Sequence, residues 1–448
     1  MASIRALLLS MARNNCRNNI SFISGYTPII ILLGVCPFYS SFIRLFERMN
    51  RYLQQRTLGI VQIVLWLSVF FFSQPTKADT LPTDLKASLI VVSPGYTAYT
   101  AHGHCALRMQ CMSEQLDFCF TYGLSDNTQS YFDFFSGKGM GEFSTAYTSE
   151  YLADYRQQGR QVIEYELNLN LDEKRSLWAL LDSELADSNC RPYNYLKTNC
   201  SSMCVYAVSE SLGQEHITYH QLPSVLTGSY RDFVRYISRH RPWISFFWLT
   251  LLADEGEQQG DLADKLSPQL LADAWQSASI VDANGASRPM LVSSPRVIVC
   301  GDAGDHSFWF TPTLCFSLLF VLLCVLSMID KRHPLSFMRY IDGALLLLHT
   351  LLSLFICYMS FFSSLIGASG SLYTIVFNPL PAISWLLFRK QSQYYKVFMI
   401  YSVVLAIFIM LTPFAPSVDL QHALLCAVFL PRCLSHVLVR RQRSPLSA

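Results

Sequence analysis

The stretch Tyr193-Asn-Tyr-Leu-Lys-Thr-Asn-Cys-Ser-Ser-Met-Cys204 joins an aromatic, extended segment to the start of a helix. Thr198 and Asn199 are residue types that cap helices, and the apolar residues behind them recur at helical spacing until Gly213, which can close the helix. Cys200 is therefore expected in the first turn, where free N–H groups and the helix dipole favour a thiolate. Such a cysteine can act as a nucleophile, or it can be a buried or disulfide-bonded residue.

The composition indicates a membrane protein with one soluble domain. Of the 448 residues, 51% are hydrophobic and 15% are charged, and the mean hydropathy is +0.27, which is too apolar for an ordinary soluble protein. The apolar residues concentrate before residue 75 and after residue 307, and the middle of the chain is long enough to bury its own core. The net charge of +2 argues against a nucleic-acid partner.

The N-terminal region contains the pattern of a secretory signal. A charged segment begins at Met49, an apolar core follows at 58–72, and small residues then provide a cleavage site. We predict a signal peptide or signal anchor at 49–78, with residues 1–48 as an over-long extension before the true start. The alternative keeps two N-terminal helices. Either arrangement places residues 79–305 outside the cytoplasm.

Residues 79–305 are predicted to form an α+β domain with helices packed on a sheet. Alternation and run length predict strands at 85–92, 105–111, 116–122 and 161–169, a hairpin turn at 112–115, a loop at 131–140, and a helix at 171–185 opened by Asp172. A basic stripe follows, and it is either a solvated face or a contact with anionic lipid headgroups: Arg231, Arg235, Arg239 and Arg241.

Residues 306–448 are predicted to form an all-α transmembrane domain with five helices. The expected spans lie at 308–328, 342–363, 371–388, 397–414 and 421–438. Basic residues concentrate between spans one and two, between spans three and four, and at the C-terminus. The positive-inside rule places these segments in the cytoplasm and the soluble domain in the periplasm of a bacterial inner membrane. Span three contains Asn378-Pro-Leu-Pro381, which predicts either a packing kink or a lipid-facing groove under the periplasmic domain.

The soluble domain carries an odd number of cysteines, so at least one stays unpaired in an oxidising compartment: Cys105, Cys111, Cys119, Cys190, Cys200, Cys204 and Cys300. Cys111 and Cys119 flank the predicted hairpin turn and could form a disulfide. Cys200 is the best-placed candidate for a working thiol. A zinc site built from His102, His104, Cys200 and Cys204 lacks the support of a CxxC pair, and no metal or cofactor is predicted.

A histidine lies on the first predicted hairpin strand, about a hundred residues before the cysteine. His104 on a strand is either structural or the base that activates Cys200. The order histidine-then-cysteine is the reverse of the usual papain order and suits a circularly permuted papain-like enzyme. A polar group on the neighbouring strand would orient the ring, and both Asp117 and Tyr122 are candidates.

Several motifs in order resemble the Lnb N-terminal periplasmic domain: Gly103-His104-Cys-Ala-Leu-Arg108, Tyr122-Gly123, the Phe-rich stretch ending at Gly137, Arg160-Gln-Val-Ile-Glu164, Leu167-Asn-Leu169, and Tyr193-Asn-Tyr195 with Asn199-Cys200. The five spans with Asn378-Pro-Leu380 resemble the Lnb-like transmembrane domain, and together the two cover about residues 85–438. The chain departs from the family pattern at His102, Met203 and Cys204.

This resemblance implies a lipoprotein N-acyltransferase with a permuted papain-like domain, similar to NlpC-type and lecithin-retinol-acyltransferase-type proteins. Cys200 would accept an acyl chain from a membrane lipid, and the thioester would pass it to the N-terminal amine of a lipoprotein. His104 would act as general base. The alternatives are a periplasmic cysteine amidase or peptidase acting on cell-wall peptides, and a non-catalytic envelope assembly protein.

Overall fold

The computed structural model describes residues 84–125, 131–186, 190–260, 262, 265–304, 308–365, 367–388, 394–415 and 417–443. The predicted extension at 1–48 and the signal segment at 49–78 lie outside the described residues.

The periplasmic domain is built around an antiparallel sheet that confirms the predicted α+β class. Across the described residues, seven strands pair in the order β10-β5-β1-β2-β3-β4-β6, and a separate three-stranded sheet has the order β7-β8-β9. The strands are β1 Leu85–Val92, β2 His104–Cys111, β3 Leu116–Leu124, β4 Met140–Tyr147, β5 Val162–Glu166, β6 Arg191–Pro192, β7 His216–Tyr219, β8 Ala278–Val281, β9 Ser287–Pro289 and β10 Arg296–Val299. The predicted hairpin is therefore β2–β3.

Helices cover both faces of the large sheet. The helices of this domain are α1 Tyr131–Phe135, α2 Thr148–Gln157, α3 Leu171–Ala186, α4 Cys200–Ser211, α5 Tyr230–Ile237, α6 Pro242–Leu251 and α7 Pro268–Gln276. The main core lies on the face formed by alternate residues such as Leu107 and Met109, where side chains of α3, α4 and α7 pack. The opposite face carries a smaller core with Tyr151 of α2.

Two predictions of local detail are wrong. The loop expected at 131–140 begins with the short helix α1, because its aromatic residues pack as a helical turn against neighbouring elements. Helix α3 is capped by Asn170 and not opened by Asp172, since Asn170 and Glu173 exchange backbone-to-side-chain hydrogen bonds of 2.9 and 2.7 Å.

The predicted Cys111–Cys119 disulfide is excluded by strand register. Cys111 pairs with Leu116, and Cys119 pairs with Arg108 farther along the ladder. Side chains alternate along a strand, so the two thiols lie on opposite faces of the sheet. Cys111 contacts Ser113 at 3.2 Å, whereas Cys119 contacts Thr148 of α2 at 3.4 Å.

The C-terminal region is helical. Its helices are α8 Pro312–Arg332, α9 Met338–Phe361, α10 Tyr373–Val376, α11 Leu380–Phe388, α12 Tyr394–Leu411 and α13 Leu420–Arg443. Within the described residues, three segments are long and apolar enough to cross a membrane: Pro312–Arg332, Met338–Phe361 and Lys396–Phe414. The third predicted span is broken between α10 and α11 at Asn378-Pro379, where proline cannot continue a helix.

Backbone groups that the break between α10 and α11 leaves without helical partners must find hydrogen bonds within the protein, because apolar surroundings offer none. The Tyr401 hydroxyl donates to the freed carbonyl of Val376 at 2.9 Å and lies 2.6 Å from Nε2 of His349. A cavity of about 520 Å³ adjoins the break, and the N-terminal half of α9 lines it. The C-terminal end of α9 is the end that meets the periplasmic domain, so this cavity is not the predicted groove beneath that domain.

The periplasmic domain rests on the helical region through a set of contacts that we call the docking seam. Ser363 and Ser364, just after α9, donate to the carbonyls of Phe135 and Ser136 at 2.5 and 2.9 Å. Further along, Asp419 accepts from Arg235 at 2.9 Å, and Thr250 meets His422 at 2.8 Å.

The docking seam corrects the expectation of a solvated or lipid-binding face for two of the four arginines in the basic stripe. Arg231 is only 1% exposed and donates to Glu257 at 2.5 Å and to the Leu252 carbonyl at 2.8 Å. Its guanidinium also lies 3.6 Å from Asp419, the partner of Arg235. Two members of the stripe therefore bind a carboxylate at the start of α13, which fixes the domain to the membrane helices.

Candidate active site

Cys200 occupies the first position of α4, as the sequence predicts. Asn199 is the N-cap, and its side chain accepts from the amides of Ser201 and Ser202 at 2.9 and 3.2 Å. Ser202 completes a capping box by accepting from the Asn199 amide at 2.9 Å. These cap bonds do not use the amide of Cys200. Gly213 follows the helix with a φ of +63°, which confirms the predicted end.

The Cys200 thiol lies among other sulfur and hydroxyl groups. Cys105 of β2 contacts it, and the Cys105 sulfur also lies 3.6 Å from the Ser201 hydroxyl and 3.8 Å from the Cys204 sulfur. The contact with Cys105, together with burial, raises the pKa of the Cys200 thiol well above its ordinary value. The neighbouring His104 opposes these effects and lowers that pKa.

His104 begins β2 and lies beside Cys200, so the structure brings together the two residues predicted as nucleophile and base. Its Nε2 lies 2.5 Å from the hydroxyl of Thr121 on β3. Strand register accounts for this contact. Ala106 pairs with Thr121, and His104 lies two residues from Ala106 on the same face of the sheet. Thr121 is therefore the β3 residue placed to orient the imidazole.

Asp117, one of the two predicted orienting residues, is engaged elsewhere. Arg108 donates to its carboxylate at 2.8 and 2.6 Å, and Thr148 donates at 2.6 Å. Burial alone would raise the pKa of Asp117, but these hydrogen bonds hold it below its usual value. Arg108 also bonds Glu164 at 2.7 Å, so two motif residues of the sequence form a buried ion pair that links β2 and β5 across β1.

Tyr122, the other predicted orienting residue, faces the main core on the opposite side of β3 from Thr121. It is 1% exposed, and its ring packs against Phe143 and Tyr193. Among the described residues its hydroxyl has no hydrogen-bond partner. Burial raises the pKa of Tyr122 to about 12. Its ring nevertheless lines the same cavity as Cys200.

A cavity of about 270 Å³ opens over Cys200 and His104. Aromatic side chains dominate its walls: Tyr99, Tyr122, Phe134, Tyr155, Tyr193, Tyr195 and Trp248. Arg160 also lines it, with its guanidinium donating to the Ser93 carbonyl at 2.8 and 2.5 Å. This combination of a mainly apolar wall and a thiol–imidazole pair suits an acyl substrate.

Helix α6 connects the cavity with the membrane region. Trp248 lines the cavity and stacks on Tyr195 with ring centroids 4.3 Å apart. Phe246, also on α6, packs on membrane helices. Its ring centroid lies 5.3 Å from that of Phe316 on α8 and 4.9 Å from that of His422 on α13. One short helix therefore contacts both the candidate site and the apolar helices.

The geometry does not favour the zinc alternative. His102 bonds Ser238 at 2.9 Å through Nε2, and burial lowers the pKa of His102 to about 4. Across the described parts of the chain, no group of three or more His, Cys, Asp or Glu side chains is arranged to hold a metal ion.

Sequence reasoning did not identify Thr121, Cys105 or Trp248 as parts of this site. Thr121 could have been found by counting register back from the predicted turn at 112–115. Cys105 follows His104 directly, and strand alternation points it toward α4. Trp248 carries no local signal, because its place depends on how α6 packs between the two regions.

Comparison with known proteins identifies the family. The model of the Lnb N-terminal periplasmic domain matches residues 72–235, and that of the Lnb transmembrane domain matches residues 304–444. No curated protein and no solved structure matches significantly. The two matched domains and the apolar helices together indicate an inner-membrane protein with a periplasmic domain. The chain therefore belongs to the Lnb family.

Proposed function

We propose that this protein is a cysteine-dependent acyltransferase that moves an acyl chain from a membrane lipid to the N-terminal amine of lipoproteins. The observation that carries this proposal is the position of the Cys200–His104 pair. The pair lies in an aromatic cavity whose wall includes Trp248 of α6, and α6 also packs on membrane helices. A soluble cell-wall peptide would not need a site in contact with the membrane region, so the amidase alternative is less well supported.

In the first half-reaction, the Cys200 sulfur attacks the ester carbonyl carbon of the lipid while His104 takes the thiol proton. The amide of Cys200, which the helix cap does not use, would donate to the resulting oxyanion. The C–O bond then breaks, the lysolipid alkoxide receives the proton from His104, and the acyl chain remains on sulfur as a thioester.

In the second half-reaction, the α-amine of a lipoprotein attacks the thioester carbonyl and His104 accepts the amine proton. The C–S bond breaks, the amide product leaves, and the thiolate recovers the proton from His104. A thioester suits this step because amines attack it readily. Thr121 holds the imidazole through both half-reactions and acts as a positioning residue, not as a catalytic one.

The docking seam supports a substrate drawn from the bilayer. The loop after α9 hydrogen-bonds to the carbonyls of Phe135 and Ser136, and Phe134, next to them, lines the cavity. Helices α8 to α13 would then hold the site at the height of the lipid ester, and such positioning can contribute several orders of magnitude to a rate.

The five-span topology is part of this proposal. Reporter fusions after Leu335 and after Gln391 are expected to behave as cytoplasmic, and a fusion near Ser369 as periplasmic. An opposite result at one of these sites would remove a span from the count.

Mass spectrometry tests the activity directly. Mixing the purified full chain with phospholipid vesicles should produce an intact-mass increase equal to one acyl chain, located on Cys200. Lipoproteins from cells with the gene should carry an N-terminal acyl group that is missing without it. An acyl adduct that persists in Cys200→Ala, or unchanged lipoprotein N-termini, would reject the mechanism.

A further inference from the structure

Two thiols beside Cys200 lie close enough to suggest a bond between them. The sulfurs of Cys105 and Cys204 are 3.8 Å apart, on residues 99 positions apart in the chain. Both residues are almost fully buried, with exposures of 0% and 2%. Cys105 projects from β2 toward α4, and Cys204 lies one helical turn after Cys200 on α4.

We propose that Cys105 and Cys204 form a disulfide in the mature protein, and that this disulfide cross-links β2 to α4 beside Cys200 and His104. The domain lies in the periplasm, where thiols are oxidised as exported chains fold, so later burial does not prevent the reaction. The reaction is an exchange with an oxidised disulfide of a periplasmic thiol oxidant. The two thiols lose two protons and two electrons, the S–S bond of Cys105 and Cys204 forms, and the oxidant is reduced to a dithiol.

Pairing of Cys105 with Cys200 would instead block the nucleophile. The environment of Cys200 argues against that alternative, because its thiol has His104 as a second neighbour. Cys204 is surrounded by apolar core residues such as Ala207 and Val208, and its sulfur meets that of Cys105. A disulfide at this point also cross-links β2 to α4, the two elements that carry the base and the nucleophile.

Peptide mapping can distinguish the two pairings. Free thiols of the purified full chain are first alkylated under denaturing, non-reducing conditions. Trypsin then yields residues 87–108 with Cys105 and residues 198–231 with both Cys200 and Cys204. Cyanogen bromide cleaves the second peptide after Met203 and separates 198–203 from 204–231. We expect 87–108 linked to 204–231, with Cys200 alkylated in 198–203. A link to 198–203, or three alkylated cysteines, would overturn the proposal.

Thermal unfolding in detergent tests the cross-link without any lipid substrate. Reduction should lower the melting temperature of the wild-type protein by roughly 5 °C or more, because the disulfide constrains the unfolded chain. Cys105→Ala and Cys204→Ala should each melt lower and should no longer respond to reduction. Cys119→Ala is the matched control, since it removes a buried thiol from the other face of the sheet and should keep the response. A wild-type melting temperature that reduction leaves unchanged would overturn the cross-link.

Peptide mapping of the wild-type chain keeps the pairing testable if a variant fails to fold. The test is also separable from the acyltransferase proposal. If the Cys200→Ala protein were still active, the acyltransferase proposal would fail, but the mapped disulfide would be unchanged.

Discussion

The cavity over Cys200 and the docking seam are built in opposite ways. In the cavity, the cap of Cys200 is made by Asn199 and Ser202, within three residues in sequence. In the docking seam, Ser364 meets Ser136 and Asp419 meets Arg235 across 228 and 184 positions. Local contacts place the candidate nucleophile, whereas distant contacts place the domain on the membrane helices. Chemistry at sulfur and delivery of lipid should therefore be separable by mutation.

The largest effect is expected from the proposed catalytic pair, Cys200 and His104. Cys200→Ala should abolish acyl-adduct formation, a loss on the order of 10⁴-fold or more, because the covalent intermediate cannot form. His104→Ala should cost roughly 10²- to 10⁴-fold, because the thiol loses its base. Both variants should keep the docking seam, as judged by an unchanged melting temperature in detergent. Activity in Cys200→Ala would contradict the assignment of the nucleophile.

A smaller effect is expected at the docking seam. Gly137 has a φ of +78°, and a Cβ there would lie 2.5 Å from the amide nitrogen of Leu365. We expect Gly137→Ala to slow acyl transfer from vesicles by about 10- to 100-fold through lost positioning, while alkylation of Cys200 is unchanged. Gly159→Ala is the matched control. Gly159 has a similar φ of +67°, but no atom lies within 4 Å of a Cβ built there. Alanine at this position therefore introduces the same backbone strain without the clash.

If Gly137→Ala and Gly159→Ala reduced transfer equally, backbone strain and not the docking seam would explain the loss. If Gly137→Ala slowed alkylation as well, the cavity and the seam would not be independent.

Thr121 should have a moderate effect that acts through His104. Thr121→Val removes the hydroxyl 2.5 Å from Nε2 of His104, and a loss of one hydrogen bond corresponds to roughly a tenfold decrease in rate. The pH profile of acyl-enzyme formation should shift in the same variant, and Thr121→Ser should restore both. A Thr121→Val enzyme with reduced stability but an unchanged pH profile would mean that the residue has only a structural role.

The smallest effect on activity is expected at Asp117, which serves the sheet. Asp117→Asn should change acyl transfer by less than about twofold and lower the free energy of unfolding by about 1 kcal/mol, through weaker bonds to Arg108. The pKa of Asp117 is lowered in the folded state, so its stabilisation is complete above the ordinary value of about 3.9 and is lost as pH falls through the folded value. Urea unfolding between about pH 5 and 2 should show this loss in the wild type and less of it in the variant. A large loss of activity would restore Asp117 as an orienting residue.

Much of the architecture was readable from local sequence. Run length and alternation predict the strand at 85–92, and a polar turn predicts the hairpin. A capping residue predicts the start of α4. Each of these signals acts within a few positions of the chain. The orienting partner of His104 does not follow from residue type, because strand register determines which side chains of β3 lie beside the imidazole. Tyr122 and Thr121 are adjacent, yet strand alternation turns one toward the core and the other toward the imidazole.

The sequence by itself determined the order of a periplasmic α+β domain and apolar helices, and the position of Cys200 at a helix start. Those features depend on composition, periodicity and caps, which are local. The tertiary structure alone decided that Arg231 and Arg235 bind Asp419, that Arg108 pairs with Glu164, and that Cys105 and Cys204 lie 3.8 Å apart. Those contacts join residues far apart in the chain, so they depend on sheet register and on the packing of α6 between the two regions.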